Sequence, residues 1–375
     1  MDIYERLYEL GREFCDDYVE NEPIEKLWPE GGFTYIHGVL FWGILKYYQI
    51  TNDKRYFDYL KKWTDARVDS DGNITMDREA GDTWSLKSLD FRQASTLFFD
   101  LYKMTGEEKY KKAIIPMVES IKEYPKTSKN MLWHMMWTEN QVWLDGLYMA
   151  SPLMCMYADM FDKPEWFDFA VHQAITMYEN IRDDNGLLRH GWDDTKKAGW
   201  ADKETGLCEV VWSRSCGWVV VAICDMLDYI PKTHQKRDEL IRILNSLLED
   251  IVRYQDKSGL WYQVMDKGDR ADNWLESSAT GLFVYAMAKG IRKGYLDRKY
   301  IKNIESASEG LIRDCISHNE EGRIVLSKIC AGFCIADTYE KYVKNAQVID
   351  NDSHGTGLFI QMCSEVHRLR EYLDK

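Results

Sequence analysis

Thr51-Asn52-Asp53-Lys54-Arg55-Tyr56, Thr105-Gly106-Glu107-Glu108-Lys109-Tyr110 and Phe161-Asp162-Lys163-Pro164-Glu165-Trp166 are three versions of one pattern. In each, an apolar run ends, a polar turn follows, and an aromatic residue anchors the first turn of the next segment, as where one helix hands over to another. Tyr295-Leu296-Asp297-Arg298-Lys299-Tyr300 repeats the plan more loosely. The first three copies lie about 55 residues apart, room for two helices and their loops. Between them apolar residues recur at helical spacing, as in Leu40-Phe41-Trp42-Gly43-Ile44-Leu45-Lys46-Tyr47-Tyr48, and proline occurs only seven times, so the chain is expected to be almost wholly helical.

A second repeat marks the opposite end of each helical pair. His37-Gly38-Val39, Asp145-Gly146-Leu147, Cys216-Gly217-Trp218, Thr280-Gly281-Leu282 and Thr356-Gly357-Leu358 each put glycine at the start of an apolar helix. Gln93-Ala94-Ser95-Thr96 supplies a sixth copy with alanine. Glycine there lets another backbone or a ligand come close. Six helical hairpins in 375 residues predict an all-α (α/α)6 barrel, with inner and outer helix rings, as one catalytic domain over residues 1–375. An open superhelical solenoid is the competing arrangement. In the barrel, the loops leading into the glycine positions gather at one mouth, and these are the long, polar, tryptophan-rich loops.

Charge and cysteine usage narrow the function. Lys and Arg number 48 against 62 Asp and Glu, a net charge of −14. Such a surface disfavours nucleic acid and long polyanions, although a local cation can still capture a small anion in a pocket. Nine cysteines, an odd number without any CxxC pair, point to reduced thiols and a cytoplasmic protein. Cys330 and Cys334 are spaced for one helical turn, but no second pair completes a metal site. The N-terminal residues lack the basic and apolar regions of a secretory signal, and no apolar run is long enough for a bilayer. Neither membrane nor obligate protein partner is indicated. Fourteen tryptophans suggest a cleft of flat rings on which sugars stack, though core packing between helices accounts for many of them.

The chemistry is sought at the mouth. Asp145 sits in Trp143-Leu144-Asp145-Gly146-Leu147, where apolar neighbours are expected to raise its carboxyl pKa toward that of a general acid. Its bland alternative is a helix N-cap. Asp90, in Ser88-Leu89-Asp90-Phe91-Arg92, precedes the neighbouring inner helix, with an N-cap or an Arg92 ion pair as its plain reading. Two carboxylates in different surroundings suit acid/base work on sugars. Arg214, between Trp212 and Trp218, is placed to grip a carboxylate in bidentate fashion. His190 and His134 lie in the flanking loops, and Tyr35 with His37 adds a wall from the first hairpin. No HExxH, P-loop, GxGxxG or nucleophile motif is present, so neither metal nor nucleotide cofactor is expected.

Val142-Trp143-Leu144-Asp145-Gly146-Leu147-Tyr148-Met149, Leu188-Arg189-His190-Gly191-Trp192-Asp193, Trp212-Ser213-Arg214-Ser215-Cys216-Gly217-Trp218 and Ser353-His354-Gly355-Thr356-Gly357 together resemble the unsaturated rhamnogalacturonyl hydrolases. These form glycoside hydrolase family 105 and are related to the unsaturated glucuronyl hydrolases. The resemblance runs over nearly the whole chain. It implies an (α/α)6 barrel that removes a 4,5-unsaturated uronic acid from the non-reducing end of a small pectin (rhamnogalacturonan) lyase product. It also implies that Asp145 is general acid and then base, and that Asp90 positions the substrate. His190, Trp212 and Arg214 would contact the unsaturated sugar; Tyr35, His134, Trp143 and Trp218 would line the pocket. An ordinary inverting glycosidase, a sugar epimerase working through histidine pairs, and a non-catalytic sugar-binding protein are the alternatives.

Overall fold

The computed structural model describes residues 2–27, 32–75 and 85–375. The chain opens with α1 (Ile3–Asn21), α2 (Tyr35–Thr51) and α3 (Lys54–Asp65). Three short 3-10 turns (Ser85–Lys87, Leu89–Phe91 and Gln93–Ser95) then lead into α4 (Thr96–Thr105) and α5 (Glu108–Glu119). The helices α6 (Asp145–Phe161), α7 (Glu165–Ile181), α8 (Ser213–Met226), α9 (Arg237–Val252), α10 (Ser277–Arg292) and α11 (Ile301–Asp314) follow. A short α12 (Tyr339–Lys344) and the long α13 (Ser353–Leu373) end the chain. Among the described residues, strands are confined to four two-stranded antiparallel ribbons in the loops.

The turn pattern has a backbone cause. Its second residue, Asn52, Gly106 or Asp162, takes φ of 55°, 71° or 53°. That left-handed cap is open to Gly, Asn and Asp at little steric cost. At the looser fourth copy the left-handed residue is Gly294, immediately before Tyr295, with φ 76°. The aromatic anchors Tyr56, Tyr110, Trp166 and Tyr300 are all buried.

Packing closes the inner ring. α2, α4, α6, α8, α10 and α13 each pack on the next, and α13 returns to α2. This return contact excludes an open solenoid. Gln361 Nε2 on α13 donates to the Val39 carbonyl on α2 at 2.8 Å. At Gly357 a Cβ would fall 2.6 Å from the Leu40 backbone N and Cα, so only glycine lets the first and last inner helices meet this closely. Five inner–outer pairs are consecutive in the chain. In the sixth, α13 takes its outer partner from the opposite end of the chain, α1. The result is the (α/α)6 barrel expected from the repeats.

The inner helices begin at the mouth, and their loops are laced together there by backbone hydrogen bonds. Leu89 N–H donates to His134 O (3.1 Å), Leu144 to His190 O (3.1 Å), His190 to Val210 O (2.9 Å) and Ser213 to Gln263 O (3.0 Å). Strands β1 (Gln141–Trp143) and β2 (Gly191–Asp193) pair within this belt. Cys208, Val210, Trp212, Val264, Cys330, Tyr339 and Tyr342 form a small apolar cluster behind it, separate from the main core.

Candidate active site

The belt places Asp90, His134, Asp145, His190 and Arg214 side by side, although they come from three successive connections, those leading into α4, α6 and α8. Asp145 is the first residue of α6. The cap position belongs to Leu144, which makes no side-chain cap bond, so the Asp145 carboxylate is not used for capping. Its Oδ2 lies 3.2 Å from His190 Nε2, with the Asp145 side chain 13% exposed. That approach is off-line for a hydrogen bond, and both atoms are buried without a hydrogen-bond partner. A buried carboxylate oxygen left in this way is costly unless a ligand or water meets it.

The expectation that burial raises the Asp145 pKa is corrected by the geometry. Burial does push it up, but His190, His134 and Arg214 together outweigh burial and leave it below the usual carboxylate value. His190 behaves oppositely. Burial lowers its pKa, with His134 and Arg214 adding to the fall, and the Asp145 carboxylate only partly offsets them. The imidazole is therefore neutral near pH 7.

Asp90 pairs with His134, Oδ1 to Nε2 at 3.3 Å. The plain readings of Asp90 are not realised. Ser88 caps its turn, and the Arg92 guanidinium is spent on Met117 O, Ser120 Oγ and Leu86 O. Against burial, the Asp90 charge and, behind it, Asp145 hold the His134 pKa above its ordinary value. The His134 ring stacks on Trp143 at 4.4 Å between centroids, and Trp143 meets His190 edge-on at 6.0 Å. Trp143 thus separates two carboxylate–histidine pairs.

Arg214 sits in the first turn of α8 and lies over the Trp212 ring at 4.4 Å. Its Nη1 donates to Cys330 O and to Ser278 Oγ (3.4 Å), and its Nη2 to Ala331 O (2.8 Å). Of its five N–H groups, these three bonds leave two for a ligand. Glu276, fully buried as the cap of α10, holds the same wall by accepting from Cys330 N at 2.9 Å. The Cys330 segment is the extended strand β3 (Ile329–Cys330), not the helical turn suggested by its spacing to Cys334. Tyr35 stands edge-on to Trp218 at 6.3 Å. Burial pushes its phenol up; Arg214 opposes this, while Asp90, Asp145 and Asp352 add to it. Trp218 is buried and stacks on Tyr148 at 4.6 Å, as a floor beneath the others. His37 turns away and stacks on Trp63 of α3.

Three elements of the site escape a reading of the sequence. Tyr342 bonds His190, Glu276 anchors the Arg214 wall, and the buried pair His354 Nδ1–Asp352 Oδ1 (2.6 Å) backs Tyr35. Only His354 lies in a motif that stands out in the sequence.

The sequence matches Glycosyl Hydrolase Family 88 over residues 9–370. The chain belongs to this family. Among proteins similar to this family member is the unsaturated rhamnogalacturonyl hydrolase YesR of Bacillus subtilis. It is 27% identical over 346 residues, covering 90% of each chain. A solved glycoside hydrolase of family 105 from C. acetobutylicum superposes with a TM-score of 0.88 at 33% identity, over 96% of this chain and 99% of that one. The unsaturated glucuronyl hydrolase of Bacillus sp. GL1 has a TM-score of 0.69 at 12% identity, covering 96% of each, and shares the fold. The glycoside hydrolase therefore carries its two carboxylate–histidine pairs on a barrel common to these enzymes.

Proposed function

We propose that this glycoside hydrolase removes the 4,5-unsaturated uronic acid from the non-reducing end of short pectin (rhamnogalacturonan) lyase products. The observation that carries the reading is the buried Asp145 Oδ2, 3.2 Å from His190 and without a hydrogen-bond partner. In such a substrate C4=C5 and the ring oxygen form an enol ether conjugated with the carboxylate. Protonated Asp145 gives its proton to C4, and positive charge develops at C5, shared with the ring oxygen. Asp145, now ionised, takes a proton from the water that adds to C5. The hemiketal opens and the aglycone leaves, one water being consumed.

One carboxyl group serves both proton transfers, where ordinary glycosidases use two. Arg214 offers its two remaining N–H groups to the substrate carboxylate. Asp90, braced by His134, orients the sugar hydroxyls; Tyr35, Trp143, His190, Trp212 and Trp218 enclose the ring. The reading takes residues 1–375 as one catalytic domain. It also places the enzyme in the cytoplasm, supported by nine free cysteines of which only Cys334 is exposed.

The test follows the conjugated double bond by ultraviolet absorbance on an unsaturated disaccharide. Asp145→Asn keeps the shape but cannot protonate C4, so turnover is expected to fall by at least ~10²-fold with the fold intact by circular dichroism. Near-normal turnover in that variant removes Asp145 from the mechanism.

A further inference from the structure

We propose that Tyr342 is a positioning residue that holds His190 as the neutral imidazole carrying its proton on Nε2, the nitrogen that faces Asp145. This rests on the reading of Asp145 as the acid. Tyr342 lies on the short α12, 152 positions from His190 in sequence, and its hydroxyl is 2.6 Å from His190 Nδ1. Tyr342 and His190 are both buried.

Hydrogen-bond inventory at the two ends of the ring gives the same answer. The Tyr342 hydroxyl has one hydrogen to donate. It already accepts from Ala336 N–H at 3.4 Å, and its other polar neighbour is the Cys208 thiol at 3.7 Å, a weak acceptor. Donation to Nδ1 is the arrangement that uses the hydroxyl hydrogen well. At the other end, Nε2 faces an Asp145 oxygen at 3.2 Å. A bare Nε2 lone pair there would oppose a carboxylate, acceptor against acceptor. With the proton on Nε2, Nδ1 accepts from Tyr342 and the positive N–H edge of the ring, not a lone pair, is turned to the carboxylate.

The charged and titratable groups around His190 agree. They are Asp145 on α6, Arg214 on α8, His134 in the neighbouring loop, Cys208, and Tyr342 itself. Burial and the nearby Cys208 push the Tyr342 phenol far above its usual range, so it remains a donor throughout the working range. Phe333 and Trp212 pack against the Tyr342 ring at 4.9 and 6.4 Å, and Gln263 Nε2 holds its carbonyl at 3.2 Å. The donor is therefore fixed in place.

The tautomer matters to an acid. A His190 that already bears hydrogen on Nε2 cannot take the Asp145 proton there, so that proton is kept for the substrate. Without the Tyr342 bond, Nδ1 becomes free to bind a proton. His190 then either reverses its tautomer or becomes an imidazolium that weakens Asp145 as an acid.

The experiment reads the tautomer directly, by nitrogen–proton correlation spectra of isotope-labelled histidines in the full chain, with His190→Asn to assign the signal. Wild type is expected to show a pyridine-type Nδ1 and a pyrrole-type Nε2 at His190, whether or not the enzyme turns over an unsaturated uronide. In Tyr342→Phe the pattern is expected to mix, reverse or become doubly protonated. Its kcat is expected to fall about tenfold with KM within about twofold, and its activity to be lost at a lower pH on the alkaline side. A pyrrole-type Nδ1 in wild type overturns the proposal, and this needs no variant to fold. So does a Tyr342→Phe protein that keeps the wild-type tautomer, whatever its activity.

Discussion

Burial alone would push the Asp145 pKa up, yet His190, His134 and Arg214 outweigh it and tip the free carboxyl toward its charged form. The general acid of the proposed reaction needs the proton, so in that reading substrate binding has to restore it. On the proposed binding mode, the substrate carboxylate would do this by cancelling the Arg214 field and adding a negative charge beside Asp145, both of which raise its pKa. The sign then follows for kinetics. The limb of kcat/KM reports the free enzyme and that of kcat the complex. On raising the pH, kcat/KM is expected to fall first and kcat at a distinctly higher pH. Superimposed limbs in steady-state profiles across the acid-to-neutral range would contradict substrate-assisted protonation. A sequence reading finds Asp145 through its apolar neighbours but misses the direction of its shift. The opposing groups come from other loops, and their distances exist only after folding.

At the scale of elements, what is legible in the sequence is what neighbouring residues decide. The left-handed caps at Asn52, Gly106 and Asp162 and the buried anchors after them are local, so the turn pattern, with its looser copy before Tyr300, betrays four of the helical pairs. The pairing of α13 with α1 joins the two ends of the chain, and no local pattern encodes it. The Tyr342–His190 bond, from a six-residue helix, is equally silent in the sequence. The glycine repeat is legible as a pattern but unequal in weight. A Cβ at Gly357 would press on the α2 backbone at 2.6 Å, whereas at Gly281 the nearest atom is 3.8 Å away. Gly357→Ala is expected to cost about 1–3 kcal/mol through overpacking. Gly281→Ala is expected to be neutral or to stabilise by up to ~1 kcal/mol through lost chain entropy. Chemical-denaturation midpoints of the two variants check the order, and a Gly357→Ala protein as stable as wild type would refute the close-packed seam.

For the whole molecule, the charge of −14 sets a long-range field that the pocket must overcome. A disaccharide product brings one carboxylate, which Arg214 would meet at short range, where screening is weak, in the proposed binding mode. Each further uronic acid in a longer product adds a carboxylate that stays outside the pocket and feels the negative surface. Such exposed repulsion acts over a Debye length of about 10 Å at 0.1 M salt and about 3 Å at 1 M. The proposed enzyme is therefore expected to lose kcat/KM as the unsaturated product lengthens at low ionic strength. The loss should shrink when salt is raised, while the rate on the disaccharide changes little. The measurement is kcat/KM on size-fractionated lyase products at two salt concentrations, each followed by loss of the conjugated double bond. Equal values for all lengths at low salt would show that the surface charge has no part in choosing the substrate. A length penalty untouched by salt would assign that choice to the shape of the mouth.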